Sequence, residues 1–418
     1  MTVTLTHPDG IDAQRWPDVA TTPHRPVRAA AARWLVRHAL DGLPLRVTTP
    51  DGQSFGAGCS SDPDLHLIRP ASFYQRLGAG GLIGFGEAFM AGDWDSRDLV
   101  GLLTVLAERL STLVPPRLQR FRDLALRHRP ASQDNTLAGS RANIHQHYDL
   151  SNELFALFLD ESLTYSAALF DGDPAHPGES LESAQRRKIE RLLDDAGVRS
   201  GSRVIEIGTG WGELAIRAAA RGAHVTTVTI STEQARLARQ RIAAAGLAER
   251  VDVRLQDYRE VAGEFDALVS VEMIEAVGAN HWSEYFATIE RLLVPGGRAA
   301  IQAITMPHDR MLAGLNTYTW ILKYIFPGGQ IPSVTAVQDH ATRAGLQITS
   351  RLAFGAHYAE SLRRWREAFE FHCDAVERLG FDATFRAMWS LYLAYSEAGF
   401  RSGYLDVAQF ALTKSAAQ

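Results

Sequence analysis

Residues 204–212 read Val-Ile-Glu-Ile-Gly-Thr-Gly-Trp-Gly, and a helical pattern follows from Glu213 to Ala220. A buried strand that ends in a glycine-rich turn at a helix N-terminus brings backbone N–H groups close to a ligand. The chemistry available there is cofactor binding, and the acidic residues decide which cofactor. A dinucleotide fold needs Gly-x-Gly-x-x-Gly and an acid at the end of the second strand to hold the ribose. Here the glycines are Gly208, Gly210 and Gly212, and the second strand ends Val228-Thr229-Ile230-Ser231 with no acid. Glu206 stands inside the first strand instead. Asp257 follows the third strand, in Gln256-Asp257-Tyr258, where a carboxylate can accept from an adenine amine. NAD therefore fits poorly.

The elements that must position this turn begin near residue 180. A helix over Leu181–Ala196 precedes a strand over Arg203–Ile207. A helix then follows, and after it the strand Val225–Thr229, the helix Thr232–Ala245 and the strands Val251–Leu255 and Ala267–Val271. The helix Trp282–Leu293 and the strand Arg298–Ile304 complete the alternation, which predicts a doubly wound α/β domain. Residues 360–398 read as mainly helical, either a cap or the closing helices of that domain. Upstream, Leu43–Thr48 and Ser54–Ala57 flank Pro50-Asp51-Gly52 as a hairpin, with Pro44 either placing its first strand at a sheet edge or delaying its start. The chain is expected to divide into a poorly ordered arm (1–25), an N-terminal domain (26–129), a linker (130–142) and a catalytic domain (143–418).

With 418 residues the chain is too long for one ordinary core. No apolar run reaches the roughly 18 residues that span a bilayer, and the N-terminus lacks the charged-then-apolar pattern of a secreted protein. Cys59 and Cys373 match no metal spacing, so no metal site is expected and both read as free thiols in a reducing cytosol. A net charge of −5 argues against general nucleic-acid binding. Basic residues nevertheless cluster at Arg28, Arg33, Arg37 and His38, and again between Arg117 and Arg129. The second cluster reads either as a basic amphipathic helix on an anionic membrane or as a packed helix with a solvated basic face.

The loop, Asp257 and the strand order together resemble the S-adenosylmethionine-dependent methyltransferases. The likeness then narrows. His147-Tyr148-Asp149-Leu150-Ser151-Asn152, Thr164-Tyr165-Ser166, Leu181-Glu182-Ser183-Ala184-Gln185, Gly208–Gly212, Gln256–Arg259 and Tyr324-Ile325-Phe326-Pro327-Gly328-Gly329 occur in the order found in the cyclopropane fatty acid synthase family. The resemblance covers roughly residues 140–412, and residues 86–94 extend it to the N-terminal domain of the phospholipid-acting members. It implies a class I methyltransferase fold: Rossmann-like, with a mostly parallel seven-stranded sheet, helical cap insertions and a smaller mixed α/β N-terminal domain.

By resemblance, Tyr165, Ser166, Gly208, Gly210, Trp211, Gly212, Thr229, Ile230 and Gln234 line the S-adenosylmethionine site, with Asp257 and Tyr258 at its adenine end. The implied reaction is methyl transfer to the double bond of a cis-unsaturated acyl chain carried on a membrane phospholipid. The family places a bicarbonate ion beside the methyl as base, held by a Cys backbone, a Glu, a His, an Ile backbone and a Tyr. Those positions fall on Ala167, Glu275, Gln302, Ile304 and Tyr358, so the Cys and the His are replaced. Gln can donate to an anion but cannot become cationic. Bicarbonate is therefore expected to bind more weakly, move or be replaced, with Glu275 the first alternative base and Glu272 the second.

The chain also resembles the actinobacterial branch that makes 10-methylene acyl chains, precursors of 10-methyl acids. That favours a methylene product over a cyclopropane. A methylene product implies a separate reductase, the resemblance to family members with this N-terminal domain implies a homodimer, and the lipid substrate implies a cytoplasmic enzyme peripheral to the inner face of the plasma membrane. A lipid-binding module without catalysis and a small-molecule methyltransferase are the remaining readings.

Overall fold

The computed structural model describes residues 10–109, 130, 135–136, 151–176, 178–315 and 317–416. The basic stretch 117–129, nearly all of the expected linker and the His147–Leu150 motif lie outside these residues. The chain divides into two compact units, and neither is contiguous in sequence.

The first unit joins the described residues up to 109 to Thr317–Ile325 and Leu362–Tyr404. It holds a four-stranded sheet of order β2-β1-β3-β4, formed by β1 (Arg46–Thr48), β2 (Ser54–Phe55), β3 (Asp64–Leu67) and β4 (Trp94–Asp95). The β1–β2 hairpin forms as expected, with its first strand starting two residues after Pro44. Helix Ala383–Arg401 buries Phe385, Met388, Trp389, Tyr392 and Leu393 and packs on helices Leu99–Glu108 and Leu82–Met90. That apolar length explains why a late segment joins an N-terminal core: it has to be covered.

Residues 10–25 depart from the expected arm. A short helix forms at Pro17–Ala20, with Val19 fully buried. The reason lies in Arg76, which is 3% exposed and ion-paired to Asp93 at 3.0 Å. Its remaining guanidinium hydrogens need acceptors, and the carbonyls of Asp18, Val19 and Thr21 supply them.

The second unit carries a seven-stranded sheet of order β10-β11-β9-β8-β5-β6-β7. Its strands are β5 (Arg203–Ile207), β6 (His224–Thr229), β7 (Val251–Leu255), β8 (Phe265–Val271), β9 (Leu293–Thr305), β10 (Leu346–Ala353) and β11 (Asp406–Lys414). Strands β5 to β9 run parallel, and β11 is antiparallel to both β9 and β10. One apolar cluster covers each face of the sheet. The strand order reverses between β5 and β8, so the ligand crevice lies at the carboxyl ends of these two strands. The Gly208 turn leaves β5 there, and Glu272 leaves β8.

Candidate active site and family

Three glycines carry the chain from β5 into helix Glu213–Ala220, all with positive φ: +95° at Gly208, +51° at Gly210 and +89° at Gly212. A Cβ at Gly208 would stand 2.7 Å from Met273 Sδ, whereas one at Gly210 would meet nothing within 4 Å. Gly210 therefore turns a bare backbone toward open space, as a loop must where a ligand comes close. Thr229 Oγ1 donates to Gln234 Oε1 at 2.9 Å, which leaves the Gln234 amide nitrogen as the donor it can offer a ribose or carboxylate. Glu206 is buried behind the turn, with its carboxylate 2.6 Å from Thr227 Oγ1. Burial pushes its pKa up to about 8, so it stands protonated at neutral pH. The open glycine face and the Thr229–Gln234 pair fit S-adenosylmethionine.

Other expected cofactor residues are committed to the protein. Trp211 is buried, donates to Asn152 Oδ1 at 2.7 Å and packs on Phe155. Tyr165 lies edge-on to the same Phe155 ring. Ile230 is half-buried just after β6. Asp257 forms a bidentate pair with Arg259, its oxygens 2.9 and 2.8 Å from the guanidinium. The Tyr258 ring sits in the core against Tyr285, and its hydroxyl has no partner among the described residues. Ser166 Oγ accepts from Lys188 Nζ at 2.6 Å. Lys188 is 1% exposed, and burial lowers its pKa to about 8.

The anion-site residues assemble around a different glutamate from the one singled out first. Glu272 Oε1 accepts from Ala167 N at 2.9 Å and from Gln302 Nε2 at 2.8 Å. Glu272 Oε2 accepts from the Tyr358 hydroxyl at 2.8 Å. Three of the five expected anion-binding groups thus converge on the Glu272 carboxylate. The other two meet each other: Ile304 N donates to Glu275 Oε1, while Glu275 Oε2 has no partner among the described residues.

The two carboxylates differ accordingly. Burial raises both pKa values. At Glu272 the three donors and the Lys188 charge oppose that rise, and a hydrogen bond to a charged group is worth about 1.5–3 kcal/mol. At Glu275 burial and the neighbouring Glu272 charge push the value up to about 8. Glu272 is therefore the member of the pair that gives up its proton more readily, and Glu275 the one that holds it.

The backbone shows how Glu272 reaches this place. Its φ is +50°, the left-handed region that disfavours side chains, and its N–H donates to Gln302 O at 2.7 Å. Such a conformation costs about 1–3 kcal/mol and persists where the surroundings over-determine it. Here Ala167, Gln302 and Tyr358 do so.

Lys188 and Gln409 escaped the sequence reading, although both leave a signal there. Lys188 falls on the buried face of helix Leu181–Asp195 with Gln185, Ile189 and Leu192. Gln409 is a polar residue in the apolar run Val407-Ala408-Gln409-Phe410-Ala411-Leu412. A separate cavity of about 440 Å³, bordered by Gly278, Trp282, His308 and Arg343, includes none of the loop or anion-site residues.

The chain matches the model of the mycolic acid cyclopropane synthetase family over residues 136–410. It is 54% identical over 411 residues to a tuberculostearic acid methyltransferase, UfaA1, of Mycobacterium tuberculosis, covering 97% of this chain and 96% of that one. It is 33% identical over 359 residues to a cyclopropane-fatty-acyl-phospholipid synthase of Escherichia coli, covering 85% and 89% of the two chains. Among solved structures, the mycolic acid cyclopropane synthase CmaA1 complexed with SAH and CTAB aligns with a TM-score of 0.60 at 30% identity, over 66% of this chain and 98% of that one. The open glycine turn, the sheet order and these likenesses converge: the chain belongs to the mycolic acid cyclopropane synthetase family and is a class I, S-adenosylmethionine-dependent methyltransferase.

Proposed function

We propose that the enzyme methylates the cis double bond of an oleoyl-type chain on a membrane phospholipid and releases a 10-methylene chain, with Glu272 as the base in place of bicarbonate. The observation that carries this reading is the Glu272 carboxylate bonded by Ala167, Gln302 and Tyr358. These are groups expected to hold a free anion, and here a side chain supplies the anion.

S-adenosylmethionine supplies an electrophilic methyl, to which the acyl double bond gives its π pair as the S–CH3 bond breaks, leaving positive charge on the acyl chain. Glu272, ionised, removes a proton from the added methyl. If the proton leaves at once, the C–H pair closes a cyclopropane ring. If a hydride first shifts from the methylated carbon to its neighbour, the same pair closes an exocyclic methylene. Three hydrogen bonds make Glu272 a weaker base and hold it in one place. Slower proton removal gives the hydride time to move, which favours the methylene. The protonated Glu275 adds no second negative charge to the wall.

The likeness to a tuberculostearic acid methyltransferase supports a lipid substrate and this product. No helix among the described residues is long and apolar enough to cross a membrane. Helix Pro26–Leu40 exposes Arg28, Arg33 and Arg37 beside Val27 (82% exposed) and Trp34 (51%), a face suited to an anionic lipid surface. A separate reductase and a second copy of this chain are the protein partners in this reading.

The test incubates purified protein with S-adenosylmethionine and oleoyl-phospholipid vesicles, then analyses the released acyl chains by gas chromatography–mass spectrometry and proton NMR. A mass gain of one CH2 with olefinic methylene protons is expected. No gain refutes the activity, and a ring product refutes the methylene assignment.

A further inference from the structure

We infer that Gln409 is a positioning residue for this reaction, holding the Gln302 amide in the one orientation that presents a donor to Glu272. The inference rests on the reading of Glu272 as base.

Gln409 stands on β11 directly across from Gln302 on β9, and both are 1% exposed. Gln409 Nε2 donates to Gln302 Oε1 at 3.0 Å and to Lys188 O at 3.2 Å. A primary amide has one acceptor oxygen and one donor nitrogen. With its oxygen taken by Gln409, Gln302 must turn its nitrogen toward Glu272 Oε1 at 2.8 Å and Ala167 O at 3.3 Å. The flipped amide would set its oxygen against the Glu272 carboxylate and the Ala167 carbonyl, three acceptors with no hydrogen between them. Gln409 adds to the cost of that state, since its amide nitrogen would then face the Gln302 nitrogen, donor against donor. The Lys188 carbonyl in turn accepts the second Gln409 hydrogen, so the orientation is anchored at both ends.

A second observation separates this role from plain packing. Gln409 Oε1 is buried and has no partner among the described residues. An unsatisfied buried carbonyl in an apolar strand costs stability, and such a group calls for a reason. The stability of β11 is better served by an apolar residue, whereas the polarity of Gln302 needs the Gln409 donor.

The experiment measures kcat, the KM for S-adenosylmethionine and the acid limb of the pH profile with oleoyl-phospholipid vesicles. It compares wild type, Gln409→Met, Gln302→Met and the double variant. Folding is checked by circular dichroism and by calorimetric S-adenosylmethionine binding. For Gln409→Met, kcat should fall at least about tenfold, the scale for a misplaced proton-transfer group. Its KM for S-adenosylmethionine should stay within about twofold, since uniform cofactor binding is untouched. The acid limb should move to higher pH, because Glu272 loses a donor that favours its charge. The double variant should be no worse than Gln302→Met alone.

An unchanged kcat and acid limb, or single effects that multiply in the double variant, overturn the inference. If Gln409→Met does not fold, Gln409→Asn withdraws the amide by one methylene while keeping it in the strand. The same loss is expected there, and a wild-type kcat overturns the inference. Glu272→Gln, run alongside, keeps the two failures apart. Full turnover in that variant defeats the base reading, whereas a defect there with normal Gln409 variants defeats this inference alone.

Discussion

Replacing Glu272 with Gln removes the charge and almost nothing else. The new amide keeps the volume, and its oxygen can still accept from Ala167 N and Gln302 Nε2, now 2.9 and 2.8 Å from Glu272 Oε1. Its nitrogen then faces the Tyr358 hydroxyl, which rotates from donating to accepting across the present 2.8 Å. The hydrogen-bond count is preserved, so the cost to stability should stay within about 1 kcal/mol. The chemical cost is far larger. Loss of a positioned general base typically lowers rates by about 10²–10⁴, or about 3–5 kcal/mol on the barrier. The assay is a single-turnover measurement with methyl-labelled S-adenosylmethionine and oleoyl-phospholipid vesicles, paired with calorimetric cofactor binding. The expected result is normal cofactor affinity and a near-normal melting temperature, with a rate lower by at least two orders of magnitude. A rate within about threefold of wild type, well under that range, would show that Glu272 is not the base.

Three further outcomes follow from the same geometry. Glu272→Gly relieves a left-handed backbone and opens an anion-sized space between Ala167, Gln302 and Tyr358; added bicarbonate should restore turnover saturably and raise the cyclopropane fraction, and indifference to bicarbonate would defeat the idea that the side chain replaces the ion. Gly210→Ala should fold with a penalty of about 1–2 kcal/mol from its φ of +51° yet bind S-adenosylmethionine at least about tenfold more weakly (about 1.4 kcal/mol), because the new methyl enters the open face; unchanged binding by calorimetry would move the ligand off that face. Glu275 has a folded pKa raised from 4.5 to about 8, so the folded state holds a proton that the unfolded chain has lost, and stability falls as pH rises from about 4.5 to about 8. Glu275→Gln removes that loss: its melting temperature should exceed wild type at pH 8, with the gap closing toward pH 5, and a pH-independent gap would refute the assignment.

The fold was legible because its signals are local. The period-2 and period-3.6 runs after residue 180 name the strands and helices, and the glycines of 208–212 mark a turn whose backbone only glycine adopts easily. The N-terminal hairpin was legible for the same reason, through Pro50-Asp51-Gly52, while the structure decided between the two readings of Pro44 by placing β1 inside its sheet. The reach of residues 362–404 into the first unit was not, since an apolar helix face does not say which core will cover it. Nor was the order at Pro17–Ala20, which depends on the hydrogen-bonding needs of Arg76, more than fifty residues away.

At the site the division is sharper. Sequence alone determined the residue types present: a glycine turn for the cofactor, and two glutamates near an Ala, a Gln and a Tyr where the family holds an anion. Which glutamate those donors bond was decided only by tertiary structure. Glu272 and Glu275 lie three residues apart, and each is plausible from its neighbours in the chain. The outcome turns on one positive φ at the end of β8 and on donors brought from residues 167, 302 and 358. Charge placement in a buried site is set by which dipoles surround it, and those come from chain segments that only folding brings together.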